Sequence, residues 1–193
     1  VPQASSTETP HLTANGLHLR TITEKDCDAF FEIFSDAQTL EYWSDGPIRK
    51  RDEAHELVRQ EIKNARSENC INWGIALPDT DFLIGKFTLF NFHAQNRRAE
   101  VGYVLNRAHW GKGYMTCVME RVLEFAFTEL SLHRLEADTD PHNEASLGLL
   151  QKFGFKREGY FRERWYVHEK WLDSVMLGLL KKEYEADRSK GTS

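Results

Sequence analysis

Between Glu100 and Met115 the hydrophobic period changes across a glycine-punctuated turn, and few architectures accept that change. Glu100-Val101-Gly102-Tyr103-Val104-Leu105 alternates and favours a strand. Trp110-Gly111-Lys112-Gly113-Tyr114-Met115 then opens an amphipathic helix, with Met115, Val118, Met119, Val122, Leu123 and Ala126 along one face. A further strand is predicted at Arg134–Thr139. Two strands joined by a helical crossover lie parallel in one sheet. The turn between strand and helix gathers backbone N–H groups that have no intrahelical partner, and such a point binds phosphate.

The flanking pattern predicts the other elements. A short strand starts at Leu17, Leu19 and Thr21. Thr23 with Asp26 three residues later resembles a capping box ahead of Phe30, Ile33 and Phe34. The loop through Trp43 to Pro47 leads to a second helix with Ala54, Leu57, Val58, Ile62 and Ala65 on one face. Trp73–Leu77 and Phe82–Phe90 flank Pro78-Asp79-Thr80-Asp81 and read as an antiparallel hairpin. After Arg134–Thr139 come a helix over Glu144–Phe153 and two strands, Phe155–Tyr166 and Ser174–Leu180. The order β-αα-βββ-α-β-α-ββ defines an α/β class with a mixed sheet and helices on both faces. One domain over 13–184 is expected, with loose tails at 1–12 and 185–193.

Composition narrows the function. A net charge of −5 argues against direct nucleic-acid binding. No window approaches a membrane span, and the polar start carries no signal pattern, so a cytoplasmic protein is expected. Cys27, Cys70 and Cys117 are widely separated and read as reduced thiols. No metal is expected. His168-Glu169 has Leu172 where a zinc motif needs its second histidine. Asp138-Thr139-Asp140 starts like a calcium loop, but Asn143 and Leu149 stand at the required glycine and glutamate. His109, His133 and His142 have no cluster spacing.

Four motifs in order carry a resemblance: Ala99-Glu100-Val101-Gly102-Tyr103, the Trp110–Met115 turn, Asn143-Glu144-Ala145-Ser146, and Lys152-Phe153-Gly154-Phe155 followed by Glu158-Gly159. Together the chain resembles the GNAT superfamily of N-acetyltransferases, and within it the RimJ/RimL-type group that acetylates protein N-termini. The resemblance spans about Leu17 to Glu183. Two positions depart from the superfamily turn: Trp110 replaces Gln or Arg, and Met115 replaces a small residue that lets backbone approach the diphosphate.

The resemblance implies a mostly antiparallel sheet whose central parallel pair splays apart, with acetyl-CoA as cosubstrate. Main-chain groups of Val104 and Leu105 are implied to hold the pantetheine arm, and one N–H there to face the thioester carbonyl. Amides from Gly111, Lys112, Gly113, Tyr114 and Met115, with Trp110 beside them, are implied to cradle the pyrophosphate; Asn143 is a further cofactor contact. Lys112 and Arg107 can add charge. Glu100 stands where several members carry a general base, or is an ordinary solvated strand carboxylate or an ion-pair partner of Arg98. Ser146 matches a serine near the coenzyme A sulfur, or belongs to a local helix start with Asn143. No tyrosine stands at the position where other members carry an acid. Trp43, Tyr103 and Trp165 are placed at the acceptor cleft.

The acceptor is left open by these residues. An α-amine, with pKa about 7.7–8.0 against about 10.4 for lysine, is more often neutral and nucleophilic. That favours a peptide or protein N-terminus, attacked directly in a ternary complex. A small-molecule amine (amino acid, polyamine or amino sugar) is the alternative, and a catalytically silent acyl-CoA-binding module is a third. The chain is expected to be a monomer or homodimer.

Overall fold

A computed structural model describes residues 9–65, 69–167 and 169–190. Most of the N-terminal tail reading, His168 and the last three residues of the C-terminal tail reading lie outside this described part. The elements are β1 (Leu12–Ala14), β2 (Leu17–Arg20), α1 (Cys27–Phe34), α2 (Arg51–Asn64), β3 (Cys70–Ala76), β4 (Leu83–His93) and β5 (Arg98–Leu105), followed by α3 (Tyr114–Glu124), β6 (Arg134–Thr139), α4 (Glu144–Lys152), β7 (Lys156–Val167), β8 (Lys170–Leu180) and α5 (Lys181–Lys190). The strands form one sheet in the order β1-β2-β3-β4-β5-β6-β8-β7. Only β5 and β6 run parallel; every other pair in that order is antiparallel.

Two hydrophobic layers cover the sheet. One face packs Trp73, Phe87, Leu89, Ala99, Val101 and Leu135 against the apolar stripe of α3 and the inner side of α4. The opposite face packs Leu83 and Val104 against Phe30, Ile33, Ala54 and Val58 of α1 and α2. Alternation along β5 therefore sends Ala99 and Val101 to one layer and Val104, on the face of Glu100 and Gly102, to the other. Helix α3 continues into a wider π turn over Phe125–Glu129, where the Leu130 N–H donates to the Phe125 carbonyl at 3.0 Å. That turn buries three consecutive residues, Phe125, Ala126 and Phe127.

The parallel pair governs the rest. Its register holds at Arg98↔Arg134, Ala99↔Leu135 and Glu100↔Glu136 and then ends, although both strands continue. Beyond Glu100 the edge of β5 that faces β6 has no ladder partner, which is the splay the motifs imply. β4 stays in register with β5 as far as Leu105, so the opening lies on one side only.

Two elements differ from the sequence-based expectation. β1 is only three residues long, too short for a periodic signal, yet Leu12 and Ala14 are buried against the α3 layer. Lys181–Lys190 is a helix where a tail is expected from 185. It is tied down from outside itself: Tyr184 rests on Phe127 with ring centres 4.9 Å apart, and Glu183 pairs with Lys156 at 2.6 Å.

The α1–α2 layer is pinned to the sheet by Asp26. Its carboxylate takes both Arg20 Nη1 and Nη2, at 3.0 and 2.8 Å, and the Thr23 N–H at 2.8 Å. Asp26 is 5% exposed, so this is a desolvated pair. Arg20 keeps a second carboxylate partner, Asp81, at 2.7 Å. Asp26→Asn is expected to lower unfolding free energy by about 2 kcal/mol, read as a reduced urea midpoint with an unchanged m-value.

Candidate active site

The turn between β5 and α3 is built from main-chain geometry. Trp110 Nε1 donates to the Leu105 carbonyl at 2.7 Å, closing the strand end onto the turn. Gly111 and Gly113 have φ of 71° and 77°, and a Cβ on either meets nothing within 4 Å. Their glycine requirement is therefore one of backbone angle, not of space. Gly113 is the N-cap of α3, and the Cys117 N–H makes the return bond to its carbonyl at 3.2 Å. The amides ahead of Cys117 in the first turn of α3 consequently have no intrahelical partner and carry the positive end of the helix dipole.

A cavity of about 780 Å³ runs from this turn along the splayed edge of β5. Val104, Leu105, Trp110, Gly111, Gly113, Tyr114, Met115, Asn143 and Ser146 all line it, whereas Lys112 is exposed and does not. Met115 is partly buried and packs against the α3 layer, so its side chain is accommodated by the core. Arg107 is engaged with Asp36 at 2.8 Å. His109 also lines the cavity; burial and the neighbouring Lys112 hold its pKa below the usual histidine range. Open positive-φ glycines, free amides and an unpaired strand edge fit a diphosphate followed by an amide-bearing arm, which is the chemistry of coenzyme A.

A second cavity, of about 530 Å³, lies on the α1–α2 side and is lined by Glu100, Trp165, Lys86, Thr88 and Asp138. Trp43, Tyr103, Asn143 and Ser146 line both cavities, so the two meet at these residues. Glu100 sits beside a β4 bulge in which Asn91 is left-handed, at φ 52°, and its Nδ2 donates to Glu100 Oε1 at 3.1 Å. Arg98 pairs with Glu136 instead, which removes the ion-pair reading of Glu100.

Ser146 has two engagements. Its N–H donates to Asn143 Oδ1 at 3.0 Å, the local helix-start motif, and its hydroxyl shares a 2.7 Å hydrogen bond with the Tyr103 hydroxyl. Tyr103 lies flat on Phe87, with ring centres 5.6 Å apart. Burial pushes its phenol up to about 12, partly offset by the Ser146 bond. The hydroxyl pair joins residues far apart in sequence and on different elements, so no local pattern signals it. Thr88, Asp138 and Arg164 are likewise lining residues that periodicity does not single out.

A parallel strand pair opened beside a glycine-led helix start, with a second cleft meeting it end to end, defines an acyl-transfer fold that brings two substrates together. The chain belongs to the GNAT acetyltransferase family: residues 16–156 match the Acetyltransferase (GNAT) domain. It is 32% identical over 169 residues to a Bacillus licheniformis protein named "Uncharacterized N-acetyltransferase p20", spanning 87% of this chain and 94% of that one. Two solved structures share its fold. The Vibrio cholerae spermidine N-acetyltransferase in complex with CoA and spermine superposes with a TM-score of 0.75 at 24% identity, over 88% of this chain and 98% of that one. Mycobacterium smegmatis RimJ in complex with CoA-disulfide gives 0.77 at 23%, over 90% and 87%. The protein is thus an acetyl-CoA-dependent N-acetyltransferase, similar to the RimJ/RimL-type group. No helix among the described residues is long and apolar enough to cross a membrane.

The Tyr103 phenol gives a pH signature. Its folded pKa, about 12, lies above its ordinary 10.0, so the folded state holds this proton more tightly. The stability this contributes is full below about pH 10 and is lost as pH rises toward 12. In Tyr103→Phe, denaturant unfolding across that window is expected to show a shallower alkaline loss than the parent protein.

Proposed function

We propose that the protein transfers the acetyl group to the α-amine of a peptide or protein N-terminus by direct attack in a ternary complex. The observation that supports direct transfer is the Tyr103–Ser146 hydroxyl pair at the meeting point of the two cavities, and the lower pKa of an α-amine, about 7.7–8.0, favours that acceptor. Acetyl-CoA supplies the activated acetyl group and a thiol leaving group. Amides of the Gly111–Met115 turn hold its pyrophosphate, and the unpaired edge at Val104 and Leu105 takes the pantetheine arm. One N–H of that edge stabilises the charge that develops on the carbonyl oxygen, a contribution usually worth about 3–4 kcal/mol.

Glu100 takes the proton from the acceptor ammonium, directly or through one water. Ser146 donates a hydrogen bond to the departing thiolate, which takes up, directly or through water, the second proton that the nitrogen loses as the amide forms. Tyr103 donates to Ser146, because a hydroxyl that accepts a bond becomes a stronger donor. A thiol of pKa near 8.5 needs only that degree of help. Trp43 and Trp165 form walls of the acceptor side.

A small-molecule amine is the second reading. It is favoured by the carboxylates of the acceptor cavity, and the Vibrio cholerae enzyme that shares this fold is named for spermidine. Release of free thiol on adding peptide or small-amine pools separates the two, and binding of acetyl-CoA without turnover on either supports the silent module instead.

Glu100→Gln is expected to lower kcat by about a hundredfold with acetyl-CoA affinity retained; full activity at every pH overturns the base assignment. Ser146→Ala and Tyr103→Phe are each expected to lower kcat by about tenfold with KM for acetyl-CoA little changed. The double variant is expected to be no worse than the poorer single, because the two hydroxyls act as one unit. Fully additive losses in steady-state kinetics separate their roles.

A further inference from the structure

The floor of the acceptor cavity contains polar atoms that the proposed reaction does not use. Thr88 of β4 pairs in register with Gly102 of β5, and Phe90 pairs with Glu100. On β6, Glu136 pairs with Glu100, and Asp138 lies two residues further along the same face. Thr88 and Gly102 therefore form a row beside that of Phe90, Glu100 and Glu136, and Asp138 lies across the opening between β5 and β6. The Phe90 ring lies against Gly102, 3.2 Å from where a Cβ would stand. Thr88 is 8% exposed, and its Oγ1 is buried without a partner. Asp138 Oδ1 is also buried without a partner. Both residues line the cavity.

The other carboxylate oxygen, Asp138 Oδ2, is held from the β7–β8 hairpin by Arg164 Nε at 3.1 Å and Trp165 Nε1 at 3.2 Å. Those side chains are aimed by a break in the β7–β8 register between Phe161 and Trp165, where Glu163 is left-handed at φ 53°. Asp173 holds the break by accepting the Glu163 N–H at 2.8 Å and the Tyr160 hydroxyl. Of the cations lining the cavity, Lys86 is paired with Glu61 and Arg164 with Asp138. Glu100, Asp138, Asp140 and Asp173 supply the carboxylates. With Arg164 and Lys86 both engaged, the carboxylates of Glu100, Asp140 and Asp173 leave the cavity an excess of negative charge that a cationic occupant would meet.

We propose that Asp138, with Thr88, is the specificity-determining pair of the acceptor cleft and binds a second cationic nitrogen on the acceptor while the reacting amine faces Glu100. This rests on the acetyl-transfer reading above. Two carboxylates on the reacting nitrogen would keep it protonated and unreactive, so the two acidic positions divide between two nitrogens. Rows two residues apart on a strand are separated by about 7 Å, comparable to the span of a four-carbon diamine. The same chemistry arises from a free polyamine or from a lysine side chain next to a peptide N-terminus.

The test compares kcat/KM for a four-carbon diamine with butylamine, and for a peptide with lysine at its second position with the same peptide carrying norleucine. The native protein is expected to prefer the dicationic member of at least one pair by roughly ten- to a hundredfold, and the pair that responds identifies the source. Asp138→Asn is expected to bring that preference to within about twofold, chiefly through KM, while acetyl-CoA affinity by calorimetry stays at the native value. Thr88→Val is expected to reduce the preference partway. Equal rates for both members of each pair in the native protein, or native preference in an Asp138→Asn protein that binds acetyl-CoA, overturn the assignment. If Asp138→Asn fails to bind acetyl-CoA, native preference in Thr88→Val overturns it. Absence of turnover on all four acceptors overturns the proposed reaction instead. Diamine binding to the CoA-bound native protein, and its loss in either variant, then decides the role of Asp138.

Discussion

Everything functional in this protein depends on β5 and β6 parting after the Glu100↔Glu136 pair. A sheet that stayed closed would satisfy its own backbone groups and leave nothing for a second molecule. Opened on one side, β5 keeps its full ladder to β4 and still offers N–H and C=O groups along its other edge. Stability and binding thus draw on opposite edges of one strand. The Trp110 bond to the Leu105 carbonyl ties the end of this open edge directly to the helix start.

The splay also sets what each side of the sheet can do. The α3–α4 layer brings free helix amides and the Ser146 hydroxyl to the opening, where negative charge must be held or released. On the α1–α2 side the strands present Glu100 and Asp138, with Trp43 and Trp165 among the aromatic residues around the second cavity. Tyr103 spans the boundary: it rests on Phe87 and reaches Ser146. Burial that suppresses its ionisation keeps it a donor over the whole working range of pH. The buried Lys86–Glu61 pair, with Asn72 donating to Glu61 Oε2 at 2.8 Å, places a neutralised cation under the cleft. The cleft therefore keeps its acidic character without a free lysine to compete as acceptor.

What could be read from the chain was local. The alternation of β5, the Gly111 and Gly113 turn and the stripe from Met115 to Ala126 are short-range patterns, and each takes its expected form. The Thr23–Asp26 motif is equally local, although the partner that gives it strength, Arg20, comes from the end of β2. β1 escaped notice because three residues carry no period. α5 escaped because its residues are almost all polar, and what holds it is contact with Phe127 and Lys156 rather than its own amphipathicity.

The sequence by itself determined the longer periodic elements, the parallel crossover and the glycine-led turn, because these follow from backbone propensity and side-chain period over a few residues. Only the tertiary structure decided which side chains act together. Tyr103 meets Ser146 across 43 positions, and Trp165 meets Asp138 across 27. Such contacts depend on where strands diverge and where a bulge turns a side chain, and neither is encoded in the residues that touch. The resemblance to a family brought Ser146 and Glu100 to attention. The packing of the chain brought Tyr103 to one of them and Asn91 to the other, and left Asp138 with one buried oxygen that has no hydrogen-bond partner.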